Sequence, residues 1–269
     1  MIMNASEHFQ AGRLREALAV ALGEVKAHPG DAALRGLVCE LLCFTGDLER
    51  ADKQLDTLTH LDPELVPVMA GWRQLLRGET ARREFFRAGH VPEFLELPEP
   101  EVQLRLQASI LIRENDLPGA AALLDQAESL RPRLGGICDE VEFDDIRDLD
   151  DLTASFLEVL TTHGKYYWVP FNQIKSLVFH QYVRPLDLLW RKSDLLSRSG
   201  QEATVFIPVL YPGTAEAQQE PVQLGRVTEW HGGDGTPVRG VGQRMLLIGE
   251  CPRPILELTQ LDFHEGAPI

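Results

Sequence analysis

The chain has 269 residues, 44% of them hydrophobic, enough to bury a core in each of two ordinary domains. Its net charge is −15, and acidic residues outnumber basic ones both before and after residue 132, which argues against sequence-independent nucleic-acid binding and against docking on anionic membranes. No apolar run approaches the ~18 residues of a bilayer span, Met1 to Gln10 lacks a signal-peptide pattern, and four cysteines without an export signal point to the reducing cytoplasm.

The first half is punctuated at fixed spacing. Gly12, Gly46 and Asn115 each stand seventeen residues before a proline, at Pro29, Pro63 and Pro132. Gly12 and Gly46 are thirty-four residues apart, the period of a tetratricopeptide-type (TPR-like) repeat. Leu14, Leu48 and Leu117 follow each marker by two, Ala17, Ala51 and Ala120 by five, and Ala5, Cys39 and Ala108 precede it by seven. Gly or Asn lets the chain reverse between two helices, the small residues allow close approach, and proline ends the second helix. Apolar steps of three and four, as in Leu14, Ala17, Leu18, Ala21, Leu22 and Val25, fit amphipathic helices. Helix pairs are therefore expected over 4–30, 31–63 and 101–132. Residues 64–98 should hold a degenerate pair, helical from Val66 to Leu76, broken at Gly78 and resumed from Thr80 to Ala88, with a proline-rich loop over 90–100. Arg82, Arg83 and Arg87 read as a small basic helix face, with an anion site as the alternative.

After Pro132 the pattern changes, and Gly135-Gly136 marks the expected boundary between domains 1–132 and 133–269. Short β-type runs follow at Tyr166 to Val169, Thr204 to Leu210, Val222 to Trp230 and Arg244 to Ile248. Helices are expected at about 150–162, 171–180 and 185–197. This uneven order predicts a two-domain α+β chain: a TPR-like α-α superhelix, then a small α+β domain with a mostly antiparallel, barrel-like sheet.

Asp139, Glu140, Glu142, Asp144, Asp145, Asp148, Asp150 and Asp151 form the densest charge cluster, with Arg147 among them. Clustered carboxylates suit a divalent cation or acid–base chemistry, but the calcium-loop spacing is missing. Asp150 or Asp151 before Leu152 to Leu160 fits a helix start, where acids favour the positive dipole end. Cys39 and Cys43 share a helix face, yet Cys39 occupies the small-residue slot, so no zinc site is expected. Gly232-Gly233-Asp234-Gly235 lacks the Lys and Ser/Thr of a phosphate loop and reads as a hairpin tip. Trp168, Trp190, Tyr211 and Trp230 are core residues or interface anchors. No cofactor and no catalytic constellation is expected. An enzyme or metal site using Asp144 to Asp151, or a self-assembling scaffold, are the alternatives to a binding role.

Five ordered blocks carry a resemblance. They are Asp145 to Asp151, Tyr167-Trp168-Val169-Pro170-Phe171, Pro185 to Arg191, Ile207 to Gly213 with Tyr211 and Pro212, and Leu224 to Trp230 with Gly225. With helical repeats in front, the chain resembles the ImpE family, also called TagJ or SciE. The resemblance implies a non-enzymatic, cytoplasmic accessory protein of a bacterial type VI secretion system. It implies two partners, the small sheath subunit, bound through a helix near its N-terminus, and the ClpV-type AAA+ ATPase that recycles the sheath. It supplies no catalytic residues, and Asp145, Arg147, Asp148, Trp168, Pro170, Trp190, Tyr211, Pro212, Gly225 and Trp230 are its signature positions. A helical-repeat groove accepts an amphipathic helix on its concave side. That side is expected to present Ser6, Phe9, Gln10, Glu40, Cys43, Phe44, Arg105, Ser109, Ile112 and Arg113, with Phe9, Phe44 and Ile112 as apolar anchors. The competing expectation is that these residues pack against the second domain.

Overall fold

The structure is a computed structural model that describes residues 3–264. Helices α1 (Ala5–Gln10), α2 (Leu14–Ala27), α3 (Ala32–Phe44), α4 (Leu48–Leu61), α5 (Val66–Ala88), α6 (Pro100–Arg113) and α7 (Leu117–Leu130) come first. The turn markers adopt the conformation that their spacing requires. Gly12, Gly46 and Asn115 hold φ of 81, 79 and 62°, a left-handed region open to Gly and tolerated by Asn. Asp31, Asp47 and Asp116 cap α3, α4 and α7 by accepting the backbone N–H of Leu34, Arg50 and Gly119. Ala17, Cys39, Ala51, Ala108 and Ala120 are fully buried where paired helices meet.

The third pair is absent. α5 is one unbroken helix of 23 residues running through Gly78. Gly78 serves a different purpose from the expected break: a Cβ there would stand 3.4 Å from Leu160, so its absence lets the helix lie close on the sheet. Three helix hairpins therefore flank a single long helix, which ends at Gly89 with φ of 79°.

The sheet part contains β1 (Gly136–Cys138), β2 (Val141–Phe143), β3 (Ile146–Asp148), β4 (Phe156–Thr161), β5 (Tyr166–Pro170), β6 (Ile174–Phe179), β7 (Trp190–Ser197) and β8 (Glu202–Pro208). Then come α8 (Glu220–Gln223), β9 (Glu229–Gly233), β10 (Thr236–Val241), β11 (Met245–Ile248), β12 (Cys251–Pro254) and β13 (Gln260–Phe263). Eight strands form one antiparallel sheet in the order β2-β1-β13-β6-β7-β8-β4-β5, beside a β12-β11-β3 sheet and a β9–β10 hairpin. The end strands β2 and β5 do not pair with each other, so the large sheet is open, not barrel-like. Glu93 instead covers the outer edge of β5, its backbone bonding Tyr166 O at 2.9 Å and Trp168 N at 3.1 Å.

Three segments expected as helices are strands, each for a visible reason. Phe156 to Leu160 is buried on both faces, so it shows no alternation and cannot be told from a helix by period. In β6 a bulge between Ile174 and Ser176 shifts the register, which places buried Ile174 and Leu177 three residues apart as on a helix. In β7 the buried face carries Ser193 and Ser197 beside Leu195, and the small polar residues hide the period of two. Conversely, much of the expected 222–230 strand is the end of α8, which carries Pro221 in its first turn, and the turn that follows it, where Gly225 holds φ of 65°.

α5 lies across β4 and β5, and one apolar cluster continues from Phe44 through Phe85 to Trp168 and Phe263. Trp168 is its centre: it stacks on Phe156 at 4.0 Å and meets Phe85 of α5 edge-on at 4.8 Å.

Candidate functional site

A seam of charge is buried under α5. Arg82 donates through Nε and Nη2 to the two carboxylate oxygens of Glu158, both at 2.9 Å, and through Nη2 to Leu210 O at 2.9 Å. Arg244 donates to Glu158 and to Asp148. Tyr166 OH donates to Glu158 at 2.6 Å and Tyr211 OH to Asp148 at 2.5 Å, while Trp168 Nε1 donates to Tyr166 OH at 2.6 Å. Trp190 Nε1 reaches Glu79, which also pairs with Arg83 at 3.0 Å. Arg82, Arg244, Glu158 and Asp148 are all buried. Burial alone would raise the Glu158 carboxyl, but Arg82 and Arg244 outweigh it and hold its pKa at about 2. Bidentate Arg–carboxylate geometry makes such a pair specific as well as strong.

The acidic cluster does not begin a helix. Asp150 sits in a turn before β4, where it accepts from Arg239 Nε at 2.8 Å, Gly240 N at 3.0 Å and Leu152 N at 2.9 Å. Asp145 pairs with Arg131 at 2.7 Å, Asp144 with Arg133 at 3.0 Å and Asp151 with Arg147 at 3.0 Å. The carboxylates thus stitch α7, β3 and β10 together. Among the described residues, no three His, Cys, Asp or Glu side chains converge as a metal site would require. The glycine-rich stretch forms the tip of the β9–β10 hairpin.

The expected concave face is divided into three places. Ser6, Phe9, Gln10 and Glu40 line an open groove of about 500 Å³ between α1, α3 and the segment 182–188. Leu34, Leu37, Pro185 and Leu188 line it too, with Tyr182 and Val183 exposed at 51% and 90%. Arg184 also lines it, with its guanidinium 4.4 Å from the Trp72 ring and 3.6 Å from Glu40. Burial pushes the Glu40 carboxyl up to about 7, against the pull of Arg184. Cys43, Phe44 and Ile112 line a separate cleft of about 400 Å³ that they share with Trp190, Tyr211 and Pro212. The rings of Phe9 and Phe44 meet edge-on at 5.3 Å.

Arg105, Ser109 and Arg113 line neither space. Arg105 is buried, donating to Glu101 at 2.9 Å and to Asp151 O at 2.5 Å, which ties α6 to the sheet part. Ser109 donates to Leu106 O, and Arg113 donates to Phe85 O at 3.3 Å. A residue on the first helix of a pair faces inward by period, but here the inner side is already filled by the sheet. Sequence reasoning missed Glu158, Arg244 and the groove wall at Tyr182 and Val183. A signal for Glu158 was present: it is the lone charge in the apolar run Phe156-Leu157-Glu158-Val159-Leu160.

Residues 140–262 match the family model described as ImpE protein. The chain is 31% identical over 262 residues to the type VI secretion system accessory component TagJ of Pseudomonas aeruginosa, covering 97% of this chain and 92% of that protein. The chain belongs to the ImpE family. A crystal structure of a Vibrio parahaemolyticus protein, 29% identical to this ImpE-family chain, superposes with a TM-score of 0.90 and covers 97% of both. Of the signature positions, Asp148, Trp168, Trp190 and Tyr211 belong to or adjoin the buried seam. Asp145 and Arg147 pair with other charges, and Pro170 ends β5 opposite Phe156. Gly225 leaves room for Leu210, whose Cδ2 would lie 2.5 Å from a Cβ, and Pro212 lines the cleft. Trp230 is 40% exposed and lies edge-on to Tyr211 at 5.7 Å. No helix among the described residues is long and apolar enough to cross a membrane.

Proposed function

We propose that this ImpE-family chain is a non-enzymatic, cytoplasmic accessory component of a type VI secretion system. Its likeness to the Pseudomonas TagJ protein over nearly the whole chain supports that role. In this reading the groove between α1, α3 and residues 182–188 takes the N-terminal helix of the small sheath subunit, and the chain links that subunit to the ClpV-type ATPase. The groove itself carries the reading: apolar Phe9, Leu34, Leu37 and Leu188 line it, and Val183 is an apolar side chain 90% exposed. An amphipathic helix laid into such a groove buries apolar area at roughly 25 cal/mol per Å². The buried charges under α5 and the paired acids of Asp144 to Asp151 act as fastenings in this account.

Titrating the chain with a peptide of the sheath subunit's N-terminal helix tests the reading. Binding in the micromolar range is expected, and Val183→Asp should weaken it by about tenfold or more while leaving the unfolding midpoint in place, because Val183 is exposed. Unaltered affinity in Val183→Asp and in Leu34→Asp would move the site elsewhere on the chain.

A further inference from the structure

The cleft lined by Phe44 and Ile112 differs from the groove in its guanidinium groups. Four arginines line it, each already paired with a carboxylate: Arg82 with Glu158, Arg83 with Glu79, Arg87 with Glu216 and Arg239 with Asp150. Its other walls are apolar and aromatic: Phe86 and Ile112 on the helical side, Trp190 and Pro212 on the sheet side. At about 400 Å³ it has the size of a small-molecule pocket.

Three of these arginines have guanidinium hydrogens left over. Arg83 uses Nε for Glu79 and Nη1 for Gly46 O. Arg239 uses Nε for Asp150. Arg87 uses Nη2 for Glu216. Among the described residues, no acceptor meets Arg83 Nη2, Arg87 Nε and Nη1, or Arg239 Nη1 and Nη2. Arg82, by contrast, is held by Glu158, Glu79 and Leu210 and only lends its charge. The Arg87–Glu216 pair is exposed on both sides and joins α5 to the turn at Thr214–Glu216, so it stands at the rim of the cleft. One carboxylate of this chain thus already occupies part of the arginine set. An exposed pair of this kind contributes little and is readily exchanged for a better-placed anion.

We propose that this cleft is a binding site for a small organic anion with an aromatic or apolar body and a carboxylate or phosphate head. The head would be held by Arg83, Arg87 and Arg239, and the body by Phe86, Ile112 and Trp190. Arginine suits the role because its planar fork presents paired donors to such heads. The site is independent of the groove: the groove's walls are α1, the first part of α3 and residues 182–188, and its charges are Glu40, Asp31 and Arg184.

Calorimetric titration of the full chain with phenyl phosphate tests the site, with inorganic phosphate and benzyl alcohol as the head alone and the body alone. Phenyl phosphate is expected to bind with a Kd below about 1 mM, and each half at least about tenfold more weakly. Arg87→Gln, on the exposed rim, should cost about tenfold in affinity, and Glu216→Gln should raise affinity by several-fold because it releases Arg87. Neither variant should alter binding of the sheath-subunit helix, and Val183→Asp should not alter binding of phenyl phosphate. Three results would each overturn the proposal: no heat of binding at about 10 mM phenyl phosphate, equal binding of either half, or unchanged affinity in folded Arg87→Gln.

Discussion

Two seams join the helices to the sheet, and they are made of opposite materials. Under α5, Arg82, Arg244, Glu158 and Asp148 are buried, and each charge meets another. Between α1, α3 and residues 182–188, apolar Phe9, Leu34, Leu37 and Leu188 lie among a few charged and polar side chains, and Tyr182 and Val183 are exposed. A buried charge without its partner is costly, so the first seam accepts only its own counterpart and specifies how helix and sheet sit together. An exposed apolar wall has no such demand and is improved by whatever complementary surface covers it. The two seams of one chain thus differ in the chemistry of the contact: one closed by paired charges, the other open and largely apolar.

The largest effect is expected at Glu158. Glu158→Ala leaves Arg82 and Arg244 buried with one carboxylate partner fewer, and should destabilise the fold by about 3–5 kcal/mol in urea unfolding. A loss below about 1 kcal/mol would mean that the charged seam does not hold the two parts together.

A middle-sized effect is expected at Glu40, a buried carboxyl at the groove. Its folded pKa of about 7 lies above the ordinary 4.5, so the folded state holds the proton more tightly than the unfolded chain. The associated stability is fully present below about pH 4.5 and is lost as pH rises towards about 7. Glu40→Gln should remove that slope and make the chain more stable than its parent above pH 7, on the order of 2 kcal/mol by thermal or urea unfolding at several pH values. An unchanged slope would show that Arg184 already keeps Glu40 charged.

The smallest effect sharpens the contrast between buried and exposed pairs. Arg133 and Asp144 are 71% and 77% exposed, and Arg133→Ala should change stability by no more than about 0.5 kcal/mol. A larger change in the unfolding midpoint would make the outer ends of the acidic cluster part of the fastening.

Parts of this arrangement were legible in the residues. The turns at Gly12, Gly46 and Asn115 were, and so was the glycine hairpin tip before Thr236, because each depends on the φ of one or two residues. Phe9, Phe44 and Ile112 were expected together on one concave face as apolar anchors. Their division between a groove and a cleft was not, because it depends on where the sheet part intrudes. Gly78 misled for a related reason: a glycine that breaks a helix and one that makes room for Leu160 look alike in one dimension. Arg82, Arg83 and Arg87 read as one basic face, yet Arg82 points into the buried seam, and Arg83 and Arg87 line the cleft.

The helix hairpins, their turns and the ImpE family follow from the order of residues alone, since a helix period, a left-handed glycine and an ordered set of short blocks are all properties of neighbouring residues. Tertiary structure alone decided that Phe156 to Leu160 is a strand, because burial on both faces erases the alternation that would mark it. It also decided what Glu158 is for. Its partners Arg82 and Arg244 lie 76 and 86 residues away in the chain, and only folding brings opposite charges from such distances into one dry seam.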